Sequence, residues 1–426
     1  MALDAGRCYN PTMTRTRSIT WPRGFLAAGG SCGIKPSGGP DLALIVADAP
    51  CTAAGVFTTN TVPGAPVVVA REHLRSGRAR AIVCNSGVSN VCTGRGGVED
   101  ARAMCRKTSS LAGGRPTDVL PCSTGVIGVR LPLEKILRGL DGLVPALGRG
   151  PGADADAARA ILTTDLVPKA AARTVRLGRP GGPGRPGGPA VRLGGIAKGS
   201  GMIAPNMATM LCFITTDVVI SATCLRRALG DAVRSSFNRI NVDSDTSTSD
   251  AVLVLASGRG GNRAIQQPTG RAFERFGAAL ADLCGDLALQ IVKDGEGATR
   301  IYRVQVRGAR SQADADRVGR AVTASPLVKT AVHGSDPNWG RLVMAVGKSG
   351  AAVLPSKLQI DIGSVRVCDH GEPTRHTAAG RRKLVRIMKR REVVFTIDLG
   401  RGSGTALWTG CDLSKRYVEI NAEYTT

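Results

Sequence analysis

Among the side chains of this 426-residue chain, the Thr209 hydroxyl has the surroundings that most suggest presentation for chemistry. It stands in the run Lys198-Gly-Ser-Gly-Met-Ile-Ala-Pro-Asn-Met-Ala-Thr-Met-Leu211. Gly199 and Gly201 permit backbone turns closed to other residues, while Pro205 fixes one torsion and biases Ala204 away from helix. The following Leu211-Cys-Phe-Ile-Thr-Thr-Asp217 is short, apolar and closed by turn chemistry, so it predicts a buried strand. At the mouth of that strand the Thr209 hydroxyl either reacts or satisfies a neighbouring amide, and an ordinary Thr does the second.

Other constellations carry less. Gly29-Gly-Ser-Cys-Gly33 satisfies the nucleophile-elbow pattern, but Pro36 and further glycines stand where a helix is needed, so Ser31 reads as a turn residue. Gly347-Lys-Ser-Gly350 lacks the earlier glycine of a phosphate loop, that place being Leu342, and reads as a turn between strands. His73, His333, His370 and His376 show no metal spacing, and no metal site is expected. Asp243, Asp245 and Asp250 could offer oxygens to a hard cation but lack the glycine and bidentate Glu of a calcium loop, which favours a hydrogen-bonded turn. Glu296, set between glycines in Lys293-Asp-Gly-Glu-Gly-Ala-Thr-Arg300, either meets a ligand's ammonium or amide or closes a salt bridge on a tight turn.

Positioning these groups requires a framework. Aromatic residues make up only 3% of the chain, so its cores are built from small aliphatics on alternating strand and helix patterns, an α/β architecture. Strands are expected at 41–47, 81–85, 120–128, 211–217, 251–256, 342–346, 358–362 and 393–399. Helices are expected at 99–112, 223–236, 271–292 and 312–323, with a glycine-rich loop over 333–340. Residues 178–189, all Gly, Pro and Arg, predict a flexible exposed loop, and residues 1–20 an unstructured extension.

The twelve cysteines never form a CxxC pair and lie mostly in apolar segments, as small buried hydrophobes of a reduced, intracellular protein do. A net charge of +24 invites a nucleic-acid reading. Its one dense cluster, Arg381–Arg391, places apolar residues 384, 385, 387 and 388 at helical spacing, so it reads as the solvated face of an amphipathic helix, without aromatics for base stacking.

Eight motifs in order, from Gly24 onward, resemble one family. They are Ser123-Thr-Gly-Val-Ile-Gly128, Thr163-Thr-Asp165, Lys198 to Leu211, Phe237-Asn-Arg239, Asp243-Ser-Asp-Thr-Ser-Thr248, Asp294-Gly-Glu-Gly-Ala-Thr299, Asp336-Pro-Asn-Trp-Gly-Arg341 and Asn421-Ala-Glu-Tyr-Thr-Thr426. On these the chain resembles the ArgJ family of arginine biosynthesis, the ornithine acetyltransferases or glutamate N-acetyltransferases. The departures are Val88-Ser89 where the family usually has Asn-Ala, His333 where it has an aromatic, and the inserted 178–189 loop.

The resemblance implies a two-lobed α/β fold of the self-processing N-terminal-nucleophile type, with mixed sheets and flanking helices. It implies a cut between Ala208 and Thr209, giving an α chain that ends at residue 208, with its body over 21–208, and a β chain of 209–426. Thr209 is then the nucleophile, Thr124 and Gly125 stabilise the oxyanion, and Thr163, Lys198, Thr209, Glu296, Asn421 and Thr426 contact substrate. Thr163 is chosen over Thr164 without a physical ground, and a pocket-lining terminus is expected in place of a plain terminal helix. N2-acetylornithine and glutamate are the implied substrates, with acetyl-CoA as a further donor and no bound cofactor. An α2β2 assembly follows, in the cytoplasm, or in the mitochondrial matrix should residues 1–20 act as a transit peptide; no membrane or nucleic-acid partner is expected. The alternatives are an N-terminal-nucleophile amidohydrolase acting on N-acyl amino acids and a basic nucleic-acid-binding protein.

Overall fold

The first sheet is one long ribbon that turns back over itself. A computed structural model describes residues 17–178, 189–204 and 210–423. The strands of this first lobe are β1 (Phe25–Gly30), β2 (Leu42–Phe57), β3 (Arg78–Val88), β4 (Val119–Val126), β5 (Lys169–Arg176), β6 (Ala190–Lys198) and β7 (Leu211–Thr216); after β8 (Ile240–Asn241) comes β9 (Ala251–Ala256). Interleaved are α1 (Ala65–His73), α2 (Gly94–Ala112), α3 (Leu133–Leu143), α4 (Pro151–Ala160), α5 (Ala222–Ser235) and α6 (Arg271–Lys293). The order is β4-β3-β2-β9-β7-β6-β5, with β1 also on β2. The first half of β2 pairs with β1 and β3 and its second half with β9, the register breaking between Val46 and Cys51.

Strand alternation shows the layers. Ala43, Ile45 and Cys122 from one half share a core with Ile196, Phe213 and Leu253 from the other. The opposite face of the first half packs on α2 and α3 through residues such as Leu44, Val83, Met104 and Ile136. That of the second half packs on α5 and α6 through Cys212, Val252, Leu225 and Leu283. Successive strand residues point to opposite faces, so both faces of β7 and β9 are buried and their sequences are continuously apolar. The result is helix, strand layer, strand layer, helix.

The second lobe contains β10 (Ile301–Ala309), α7 (Gln312–Thr323), α8 (Pro326–Gly334), α9 (Trp339–Gly347), β11 (Gln359–Ile362), β12 (Val365–Asp369), β13 (Glu372–Pro373), α10 (Ala378–Met388), β14 (Glu392–Asp398) and β15 (Gly404–Cys411), and the chain's last described helix is α11 (Lys415–Glu423). Its sheet runs β13-β12-β11-β14-β10-β15-β8, so β8, from the first half of the fold, completes the edge beside β15. Tyr302, Val304, Phe395, Ile397 and Trp408 form its core.

Four expectations fail here. The strand expected at 342–346 is helix α9, because Leu342, Ala345 and Val346 recur at three- and four-residue spacing and are the positions buried. The loop expected from His333 begins inside α8, which starts with Pro326 and a Ser325 side chain that accepts from Val328 N. Gly347–Gly350 consequently closes a helix and does not join strands. At the other end, the extension expected over 1–20 includes Ser18, Ile19 and Thr20, which are buried. Their place is fixed by Asp154, which accepts from Ser18 N at 2.7 Å and Thr20 N at 2.8 Å. The Gly/Pro stretch joins the antiparallel pair β5–β6, and its residues 179–188 lie outside the described residues. Helix α10 does turn its basic residues to solvent, burying Leu384, Ile387 and Met388.

Candidate active site

Thr124 and Lys198 meet between the two strand layers. Each lies two residues beyond a position of the shared core, Cys122 on β4 and Ile196 on β6, so both side chains turn into the space between the layers. There Lys198 Nζ donates to Thr124 Oγ1 at 3.4 Å, both residues being buried. An ammonium has only protons to give, so the Thr124 oxygen accepts and its own proton is free for another acceptor. Gly125 follows with φ +129°, and a Cβ there would stand 2.3 Å from the Gly87 carbonyl carbon. Only glycine lets β4 and β3 close at that point.

The segment after Lys198 gathers the remaining described candidates. Gly199 N donates to Asp165 Oδ1 at 2.6 Å, and Thr163 N to Asp165 Oδ2 at 3.1 Å. The Ser200 hydroxyl pairs with that of Thr164 at 2.8 Å, and the Ser200 carbonyl accepts from Glu296 N at 2.9 Å. Gly201 leaves room for the Glu296 carboxylate, whose Oε2 would stand 2.3 Å from a Cβ there. Glu296 is half-buried, and Asn421 Nδ2 donates to its Oε2 at 2.9 Å. Asn421 comes from α11, so the chain is helical as far as Glu423 and that helix lies on the Glu296 loop. Ala208, Thr209 and Thr426 lie outside the described residues. Leu211, two residues beyond Thr209, stands opposite Lys198 in the β6–β7 register.

Burial sets the electrostatics. It lowers Lys198 below the usual lysine range, against the attraction of Asp165 at 4.0 Å. Asp165 is pushed up by burial but pulled down more by Lys198, Lys169 and the Gly199 N–H, to about 2. Asp243, whose two oxygens accept from Met202 N and Ile203 N, rises to about 6 because it is buried. Asp250 rises well above the carboxylate range for the same reason, and its Oδ1 accepts from Met210 N at 2.9 Å. These two aspartates, weighed from sequence as cation ligands, hold the backbone on either side of residues 205–209.

Residues 26–426 match the model of the ArgJ family. The chain is 45% identical over 410 residues to the arginine biosynthesis bifunctional protein ArgJ of Symbiobacterium thermophilum, covering 96% of this chain and 98% of that one. It is 44% identical over 424 residues to the protein of the same description in Thermosynechococcus vestitus, again over 96% and 98%. The chain belongs to the ArgJ family. It is therefore an acyltransferase of arginine biosynthesis. Among solved structures, an ArgJ from Bacillus halodurans aligns with TM-score 0.48 and 40% identity, over 50% of this chain and 98% of that one.

In this ArgJ-family chain the sequence motifs bring Thr163, Lys198 and Glu296 to one place but leave out the charged groups that support them. Asp165 and Asp294 stood inside quoted motifs without a role, and Lys169, which bonds both, was not singled out. The available signal was Lys169 itself, a charge opening the small apolar run Ala170-Ala-Ala172 of a strand-like segment. Asp412 was also missed: it accepts from Thr299 Oγ1 at 2.6 Å, from Arg300 N at 2.9 Å and faces His333 Nδ1 at 2.8 Å, tying the end of the Glu296 loop to the second lobe.

Proposed function

We propose that this ArgJ-family chain cuts itself between Ala208 and Thr209 and then carries an acetyl group from N2-acetylornithine to glutamate as an ester on Thr209. The cut frees the Thr209 α-amine, which titrates near ~7.7–8.0 and serves as base for the adjacent hydroxyl. The hydroxyl oxygen bonds to the acetyl carbon of N2-acetylornithine, and the amide bond breaks as ornithine leaves with the proton. Glutamate's amine then attacks the ester, giving N-acetylglutamate and restoring the hydroxyl. Both halves pass through a tetrahedral oxyanion, which Thr124 Oγ1–H and Gly125 N–H stabilise.

The observation that carries this reading is the Lys198 to Thr124 hydrogen bond, which turns the Thr124 proton away from Lys198 in a dry site. A preorganised donor of that kind is what a developing oxyanion requires. Lys198, Glu296, Asn421 and Thr426 contact the charged ends of the substrates; Thr163 joins them because the Thr164 hydroxyl is already engaged by Ser200. The proposal includes acetyl-CoA as a second donor without any bound cofactor, an α2β2 assembly and a cytoplasmic setting. Among the described residues no helix is long and apolar enough to cross a membrane.

A denaturing gel with an acetyl-transfer assay tests it. The wild type should give two bands that become one near 44.1 kDa in Thr209→Ala, with transfer lost. An uncut wild type that still transfers acetyl groups overturns the proposal.

A further inference from the structure

Three of the proposed substrate residues hang on one buried array of charge. Lys169 Nζ lies 2.5 Å from Asp165 Oδ1 and 2.5 Å from Asp294 Oδ2, and its side chain has no exposed surface. Asp165 also holds the backbone of Thr163 and of Gly199, the residue after Lys198, and stands 4.0 Å from the Lys198 ammonium. Asp294, two residues before Glu296, accepts from Leu166 N at 3.0 Å and Val167 N at 3.3 Å. One cation thus spans the loop that carries Thr163 and the loop that carries Glu296.

We infer that Lys169 is a positioning residue for acetyl transfer: by holding Asp165 and Asp294 together it sets the place and the charge of Lys198 and the place of Glu296. A buried charge bonded on two sides has little freedom, and removing it leaves two carboxylates in a dry space. The array is built for more than stability, because a well-packed apolar trio would stabilise at least as well. What the charges add is a fixed field at Lys198. The other groups facing that ammonium are Asp250 before β9, and Lys35 and Cys84, the thiol being neutral because burial pushes it up to about 12. Asp165 favours the Lys198 ammonium and Lys169 opposes it, so the two have opposite influence on the same proton.

The inference rests on the proposed acetyl transfer with Lys198 as an ammonium, and the pH dependence of kcat/KM for N2-acetylornithine tests it on the processed enzyme. Asp165→Asn keeps the acceptor for Gly199 N, leaves Lys169 with Asp294, and removes the attraction on Lys198. Its alkaline limb should move down by about 1 to 3 pH units. Lys169→Met removes the repulsion, so its limb should move up, while KM for glutamate rises as the Glu296 loop loosens. Should Lys169→Met not fold, Lys169→Met with Asp294→Asn removes a buried pair together, and its limb should also move up. Limbs that stay put in both variants, or move in the same direction, overturn the inference while leaving acetyl transfer intact. A wild type without acetyl transfer overturns the proposed function instead, and this inference with it.

Discussion

Replacing Thr124 by valine isolates one proton. The side chain is 1% exposed and its oxygen accepts from Lys198 at 3.4 Å, so valine keeps the shape and removes only the hydroxyl. Two losses follow and can be separated. The Lys198 bond is long, since N–H···O contacts centre near ~2.9–3.0 Å, and Lys198 keeps Asp165 nearby. Its loss should therefore cost about 1 kcal/mol of stability, below the ~1.5–3 kcal/mol of a well-formed bond to a charged group. The lost oxyanion donor should cost roughly 2.7–4 kcal/mol in the transition state, or about 10² to 10³ in kcat. Because that interaction exists only in the transition state, kcat and kcat/KM should fall together with KM unchanged.

The assay is steady-state formation of N-acetylglutamate, with a gel time course for self-cleavage and a thermal melt for the stability loss. Co-expression of residues 1–208 with 209–426 bypasses the cut should the variant process slowly. Thr124→Ser, which restores an oxygen and its proton, should recover most of the rate. A Thr124→Val enzyme that turns over within about threefold of wild type, a difference of less than ~0.7 kcal/mol, refutes the role given to the hydroxyl.

Three further outcomes are expected. The two fragments should co-elute in native buffer and part only in denaturant, because β6 and β7 from opposite sides of the cut are antiparallel neighbours with Lys198 facing Leu211; separation under native conditions refutes that. Gly125→Ala forces a Cβ onto Gly87 backbone at φ +129°, adding about 1–3 kcal/mol of strain and a similar overpacking cost, so a melt equal to wild type would show that β4 yields more easily than its geometry says. Burial raises Asp250 well above the carboxylate range and its Oδ1 accepts from Met210 N, so Asp250→Asn, which keeps that acceptor, should melt near wild type, whereas Asp250→Ala strips it and should cost about 1–3 kcal/mol; equal melts for both would remove Asp250 as the anchor of that backbone.

Local pattern made the buried strands and long helices readable. Leu211–Thr216 and Ala251–Ala256 are apolar on both faces because both faces are covered, and α6 shows its buried stripe over Phe276, Leu280, Leu283 and Leu287. Residues 342–346 were misread because a short apolar run satisfies strand and helix alike, and only packing in the second lobe decides. The folding of the first sheet over itself was hidden for a different reason. It depends on the break in β2 between Val46 and Cys51, and nothing in that stretch announces which residues will face one another across the layers. Lys169 escaped notice in the same way: its two partners are 4 and 125 residues distant, so no window of sequence contains the array.

The cut that the resemblance implies falls in the connection between two paired strands of that folded sheet. Lobes and fragments do not coincide: β7 and β9, both beyond residue 208, lie in the first sheet between β2 and β6. Thr124, Gly125, Asp165 and Lys198 precede the cut, while Asp250, Glu296 and Asn421 follow it, and the two groups are joined by hydrogen bonds such as Glu296 N to the Ser200 carbonyl. Severing one peptide bond between two paired strands leaves that network to be held by the sheet, the shared core and Lys169. A nucleophile can thus gain a free amine without the site losing its shape, because the bond that is broken is not the one that holds the parts together.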